Sequence, residues 1–466
     1  MRPARYGLAM ADVASLFAEI LAADRILVGS AVSEDYGHDE ALGSVPVQPD
    51  AVLLPETTAD VAAILRTANE HGIAVTARGS GTGLSGAAIP RAGGVVVSFE
   101  RMNKVLEIDT ENHVAVVQPG VTLAELDEAT AAHGLIYPVF PGEYSASLGG
   151  NVGTNAGGMR AVKYGVTRHQ VLGLEAVLAT GEVIRSGGRY VKTSTGYDLT
   201  QLIIGSEGTL ALVTEATVKL YPRPEHQATV MAPFATLEEI TRAVPRIVGS
   251  GIGPLILEYI DTLTMGAATR MVGLDLGVPE EIQQRTFGYL VVMMEDAHVD
   301  RLDTDVQTLA SQLADLGAID VYVLPPTSAT LLISAREKAF WVAKSAGADD
   351  IVDVVVPRAA IADFMSAVKA LADASGTFVA GCGHAGDGNV HLSVFQPDAD
   401  KRSQVMRDLF AAGMALGGTI SGEHGIGSTK KKYFLALEDP VKIELMRRIK
   451  TAFDPSGILN PGTLFD

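Results

Sequence analysis

Cysteine is almost absent from this sequence: Cys382 stands alone among 466 residues. A single thiol excludes an intrachain disulfide and any iron–sulfur cluster held by cysteines, and it suits a reducing compartment. Basic residues are also in deficit, 36 Lys and Arg against 55 Asp and Glu, for a formal charge of −19. That balance argues against nucleic acid as a partner, because its phosphates demand a basic surface. The one lysine cluster, Lys430, Lys431 and Lys432, is too short to form an anionic-membrane patch by itself. No run approaches the roughly 20 apolar residues needed to cross a bilayer, so no transmembrane anchor is expected. Residues 1–5 are basic, yet Asp12, Glu19 and Asp24 interrupt the next stretch and leave no apolar core for an export signal. A cytoplasmic protein is expected, with attachment to the inner face of the membrane left open. Internal repeats and low-complexity tracts are lacking too.

Glycine, by contrast, is abundant at 49 residues, above the usual share of about 7%. Its excess gathers in a few loops. The chain is longer than one hydrophobic core usually supports, so two or three domains are expected.

The densest chemistry lies in Gly383-His384-Ala385-Gly386-Asp387-Gly388-Asn389-Val390-His391, followed thirty-two residues later by Glu423-His424-Gly425. His384, His391 and Glu423 form a nitrogen–nitrogen–oxygen set typical of catalytic zinc, with a coordination position left open. His424 would then be left as a base titrating near neutral pH. The plainer alternative is a group of ordinary polar residues in glycine-rich loops. The glycines make a helix costly here. Residues 377–380 lead in as a strand, Asp387-Gly388 supplies a turn, and residues 390–394 lead out with period-2 alternation. Such a reversal brings both imidazoles to one end of a sheet.

A second cluster near the N-terminus holds Arg78, Gly79, Ser80, Gly81, Thr82, Gly83, Leu84 and, after Ser85, Gly86. Consecutive N–H groups in such a loop form an anion-binding nest and let backbone approach a ligand closely. The spacing fits neither a P-loop nor a dinucleotide fingerprint, so by itself it reads equally as a phosphate cradle or a tight structural turn. Two further runs repeat the theme. One carries Pro141, Gly142, Ser147, Gly150, Asn151, Gly153, Thr154 and Gly157; the other carries Glu207, Gly208 and Val213.

Together the three runs resemble the vanillyl-alcohol-oxidase type of FAD-binding domain, in which such loops surround pyrophosphate, ribityl chain and flavin. The histidine motifs resemble the C-terminal half of the D-2-hydroxyacid dehydrogenases of that superfamily. These include D-lactate dehydrogenase, D-2-hydroxyglutarate dehydrogenase and the FAD subunit of glycolate oxidase. The resemblance runs from about Val47 to the closing Asn460-Pro461-Gly462. It implies an α+β protein: a two-part FAD-binding domain, then an α+β substrate domain with a mainly antiparallel sheet, helices on one face, and a C-terminal helical segment. The expected divisions are 1–45 as an N-terminal helical segment, 46–224 for FAD, and 225–466 for substrate and metal. Residues 216–220 are expected as the last strand of the FAD domain and residues 221–225 as a stiff linker. Helices are expected at 237–250, 299–316, 329–346 and 359–374.

The resemblance assigns the residues of all three glycine-rich runs, with Asn460, to FAD. It assigns His384, His391 and Glu423 to a divalent metal, zinc or manganese, and His424 to the base. Asn389 is implied as a contact to the substrate or to the groups around it, and Arg336 as the grip on its carboxylate. The implied reaction is oxidation of a small D-2-hydroxy acid to the 2-oxo acid, with hydride passing to flavin N5. Relatives that take a dicarboxylate carry a basic residue where this chain has Gly347-Ala348-Asp349-Asp350. That departure favours a small or apolar substrate of the D-lactate or glycolate type over 2-hydroxyglutarate, although Lys344 is close enough in sequence to reach in. No histidine or cysteine lies in residues 78–86, so FAD is expected to be non-covalent. The electron acceptor is left open among quinone, cytochrome, electron-transfer flavoprotein, oxygen and dye, and a homodimer stays open. A flavin subunit of a larger complex and a metallohydrolase are the alternative readings.

Overall fold

The structure, a computed structural model, describes residues 10–465; the basic residues 1–5 lie outside them. The first sheet is built from β1 (Ile26–Val28), β2 (Ala51–Leu53), β3 (Val75–Arg78) and β4 (Val95–Ser98), in the order β1-β2-β4-β3. Strands β2, β4 and β3 run parallel, so a crossover is required, and the helix Thr58–His71 provides it. A Thr57–Asp60 capping box starts that helix and Gly72, with φ of 67°, stops it. Its Ile64 and Leu65 are fully buried in one core with Val75 and Val95. Residues before 46 are not only helical. After the helix Met10–Phe17, β1 pairs with β2, and Phe17 and Leu21 enter the same core.

A second sheet and a short ribbon come next: β5 (Val105–Asp109), β6 (Val114–Val117), β7 (Leu135–Ile136), β8 (Val171–Val177), β9 (Val183–Gly187), β10 (Leu212–Lys219) and β11 (Tyr221–Pro222). Strands β5-β6-β10-β8-β9 form a five-stranded antiparallel sheet, and β7 pairs with β11. The segment expected as a stiff linker therefore begins as a strand. Pro222 is tolerated there because a two-stranded ribbon leaves its missing N–H unneeded.

The third sheet is seven-stranded and antiparallel throughout. It contains β12 (His226–Phe234), β13 (Ile256–Asp261), β14 (Gly288–Asp296), β15 (Tyr322–Leu324), β16 (Asp350–Val355), β17 (Phe378–His384) and β18 (Asn389–Phe395), in the order β15-β12-β14-β13-β17-β18-β16. Period-2 alternation sorts its residues cleanly. Leu257, Leu290, Val292, Val352, Val354, Val390 and Leu392 face the helices Leu237–Val248, Val299–Asp315, Ile361–Ser375 and Ala399–Ala415. The intervening positions put Glu258, Asp353, Cys382, His384 and His391 on the opposite face. That face is not bare as expected. The helices Thr262–Val272, Pro326–Glu337 and Ala339–Ser345 cover part of it. The last two replace the single helix expected over 329–346, the break falling at Lys338.

The chain ends by returning to the first sheet. Asn460 donates its backbone N–H to Val75 O, and Lys450 donates to Thr209 O and Leu459 O. Among the described residues no helix is long and apolar enough to cross a membrane.

Candidate functional site

Two cavities lie side by side. The first has a volume of about 210 Å³ and is walled by the glycine-rich loops, with Arg78, Gly79, Ser80, Gly81, Thr82, Gly83 and Leu84 on one side. Pro141, Ser147, Gly150, Asn151, Gly153 and Thr154 form a second wall, and Glu207, Gly208 and Val213 a third. Glycine is required in this wall for steric reasons. Gly81 has φ of +76°, and a Cβ there would stand 2.1 Å from the Arg78 guanidinium. At Gly149 a Cβ would meet Pro119 O at 2.9 Å, whereas Gly153 opens on empty space. These are the properties of a cradle for a ligand that lies close against backbone, as a dinucleotide does.

Three residues expected around FAD stand elsewhere. Gly142 lines the second cavity. Gly157 lines neither; a Cβ there would come within 2.8 Å of Glu423 Oε2, so its role is to let that carboxylate approach. Asn460 is a buried brace, donating to Ala87 O and Glu207 O from behind the loops. Glu207 does line the first cavity, but its carboxylate accepts from the N–H groups of Ile426 and Gly427. Burial raises its carboxyl to about 7. Glu207 thereby ties the third loop to the Glu423–His424 turn.

The second cavity, about 310 Å³, holds Arg336, His384 and His391 at one end. Glu423 and His424 line both cavities. His384 Nε2 lies 3.3 Å from Glu423 Oε1, and His391 Nε2 lies 3.2 Å from the same oxygen. A tetrahedral ion with bonds of about 2.0–2.1 Å has donor–donor edges of about 3.3 Å, so the spacing fits zinc-sized coordination. His384 Nδ1 stands 2.6 Å from Glu258 Oε1, a carboxylate that fixes the ring and leaves Nε2 free. His391 has no protein hydrogen-bond partner on either ring nitrogen. Burial alone would lower His384, but Glu258 and Glu423 outweigh it and raise it to about 10. The residues present fit a divalent ion. Asp353, His391 and His424 form an overlapping donor group, but Asp353 Oδ2 is already committed to the turn that carries Glu423.

His424 stacks on His391 with centroids 5.1 Å apart. Burial, with Lys430 and His391 nearby, lowers its imidazole to about 4 against the pull of Asp353, below the near-neutral titration expected from the sequence, so it is neutral near pH 7. Its placement is set by Asp353. One oxygen of that fully buried carboxylate accepts from Ser421 Oγ at 2.6 Å and from the N–H groups of Gly422, Glu423 and His424 at 3.1, 3.1 and 2.8 Å. Lys430 Nζ lies 3.7 Å away and is itself buried. Although burial opposes ionisation, His424, Lys430 and His391 keep Asp353 well below the usual carboxylate range. Asn389 does not reach either cavity. Its amide donates to Asp353 Oδ1 at 2.9 Å, so it positions the turn rather than the substrate. Arg336 lines the second cavity. Its Nη2 pairs with Glu258 Oε2 at 2.7 Å, and its Nε has no partner.

Glu258 and Asp353 were not singled out by motif. A lone acid within an apolar strand is the signal both carry, since an unpaired charge there is costly. Asp39, buried in the wall of the first cavity and accepting from the Ala41 and Ala88 N–H groups, carries no such signal.

Two family models match the chain. A family model described as the C-terminal domain of FAD linked oxidases matches residues 223–464. A model for an FAD binding domain matches residues 49–187. An FAD-linked oxidoreductase of Mycobacterium tuberculosis, uncharacterized by its name, is 59% identical over 456 residues, covering 98% of this chain and 99% of the relative. A D-lactate dehydrogenase of Anaerostipes hadrus is 37% identical over 99% of this chain and 98% of its own length. Among solved structures, a 4-ethylphenol oxidase from Gulosibacter chungangensis superposes with a TM-score of 0.77 at 20% identity, covering 98% of this chain and 97% of that one. The last likeness shows a shared vanillyl-alcohol-oxidase-type fold. With both halves of the chain matched and relatives aligned from end to end, the protein belongs to the FAD-linked oxidases and is an oxidoreductase, which removes the metallohydrolase alternative.

Proposed function

We propose that this protein oxidises a D-2-hydroxy monocarboxylic acid, with the head group of D-lactate or glycolate, to the 2-oxo acid. The observation that carries the reading is the position of Glu423 and His424 on the wall shared by both cavities. FAD, held non-covalently in the first, supplies a two-electron acceptor for hydride from Cα. A divalent ion, zinc or manganese, held by His384, His391 and Glu423 supplies a Lewis acid for substrate oxygens. His424, neutral near pH 7, accepts the hydroxyl proton. Arg336 orients the carboxylate with its unpartnered Nε.

A second substrate carboxylate would find no cation. Arg336 is the one basic side chain, histidines aside, among the described residues lining the substrate cavity. Lys344 is engaged by Glu40 at 2.5 Å. This favours a monocarboxylate over the 2-hydroxyglutarate type. The test is a dye-linked screen of paired D- and L-2-hydroxy acids. D enantiomers are expected to reduce the dye and a D-dicarboxylate to lag well behind; preference for L enantiomers, or for the dicarboxylate, would contradict the reading.

A further inference from the structure

The substrate cavity is far larger than lactate requires. Its floor is one face of the β17–β18 hairpin. Phe378, Ala380, Cys382 and His384 alternate along β17, and His391, Ser393 and Phe395 along β18. Six residue steps separate Phe378 from His384, roughly 20 Å at about 3.3 Å per residue. The metal-donor end is charged, and the rest is mostly apolar. Thr264, Ser393 and Glu337 are the polar side chains beyond it, and burial raises the Glu337 carboxyl to about 7. Thr264 is already donating to Gly381 O.

The roof explains the room. Ala267 and Ala268 of the helix Thr262–Val272, with Ala343 of Ala339–Ser345, present small side chains over the hairpin, beside Leu263, Phe340 and Val342 of the same helices. Larger residues there would close the slot onto the floor. The far end is an aromatic rim, where Phe378 and Phe395 pair with centroids 5.4 Å apart and Phe378 is 52% exposed. Glycolate or lactate would leave this length filled with water against apolar walls, which is unfavourable. The shape is complementary to a molecule with one anionic, hydroxyl-bearing head and a long apolar body.

We propose that the preferred substrate is a D-2-hydroxy acid bearing an extended aliphatic chain, which lies along the hairpin from Arg336 toward Phe378. This rests on the 2-hydroxy-acid reading of the same site and extends it from the head group to the side chain.

The experiment measures kcat/KM of the holoenzyme with an artificial dye for D-lactate and the D-2-hydroxy derivatives of butanoate, hexanoate, octanoate and decanoate. The ratio is expected to rise by about fourfold per methylene buried, until the groove is full. Ala380→Leu, which fills the middle of the floor, is expected to depress the octanoate derivative by about tenfold or more relative to D-lactate. A series in which D-lactate is best, or in which chain length has no effect, overturns the groove proposal and leaves the 2-hydroxy-acid reading intact. Failure of every member to reduce the flavin removes that reading and the proposal with it. The wild-type series decides the matter even if Ala380→Leu does not fold.

Discussion

His424→Ala is expected to retain FAD and bound metal and to lose roughly 10²–10⁴-fold in turnover, the usual cost of removing a general base. The loss is expected to shrink at high pH, where hydroxide takes over the proton. A metal-donor substitution such as His391→Ala is expected to lose the ion as well, and to be inactive at every pH. Stopped-flow flavin reduction beside metal analysis separates the two neighbours, Glu423 and His424. Near-normal flavin reduction in His424→Ala, or loss of its metal, would remove the residue from the role of base.

The second large effect is expected at a residue that touches neither cavity. Asp353→Ala deletes the acceptor for four donors of the Ser421–His424 turn and leaves Lys430 buried without its countercharge. Breaking a buried pair in this way costs about 3–5 kcal/mol. The turn also aims Glu423 and His424, and displacement of reacting groups by about 1 Å can cost on the order of 10²-fold in rate. Both the denaturant midpoint of the holoenzyme and kcat are therefore expected to fall, with Asp353→Asn, which keeps one acceptor, recovering part of each. Unchanged kcat in a folded Asp353→Ala protein would show that the turn holds its shape by other means.

Asp353 also marks the limit of what the sequence makes legible. His384 and His391 stand out because glycines crowd them and because period-2 alternation across a turn brings both to one sheet face. Glu258 pairs with His384 across 126 positions in the chain, and nothing in its own strand says which face it takes. The same holds for Asp353, which meets the N–H of His424 71 positions later. Asn389 and Asn460 lie inside recognisable motifs, yet their amides turn to protein groups and not to a ligand space. The motif identifies the neighbourhood; the side-chain direction depends on register with strands that are distant in sequence. Boundaries fail for related reasons. Residues 221–225 look like a rigid linker from their prolines, but β7 offers Tyr221 a partner that local sequence cannot reveal. The three glycine-rich loops are legible as a set, because a backbone that must touch a ligand admits few other residues.

Substrate is expected to meet base, cation donors and flavin at the wall shared by the two cavities. Anaerobic reduction of bound FAD by a D-2-hydroxy acid, before and after treatment with a chelator, tests it most directly. The metal-replete protein is expected to bleach promptly. The chelated protein is expected to keep its oxidised flavin spectrum in the presence of substrate and to regain bleaching when zinc or manganese is added. An unchanged rate after chelation, with less than one divalent ion per chain at the outset, would contradict the account.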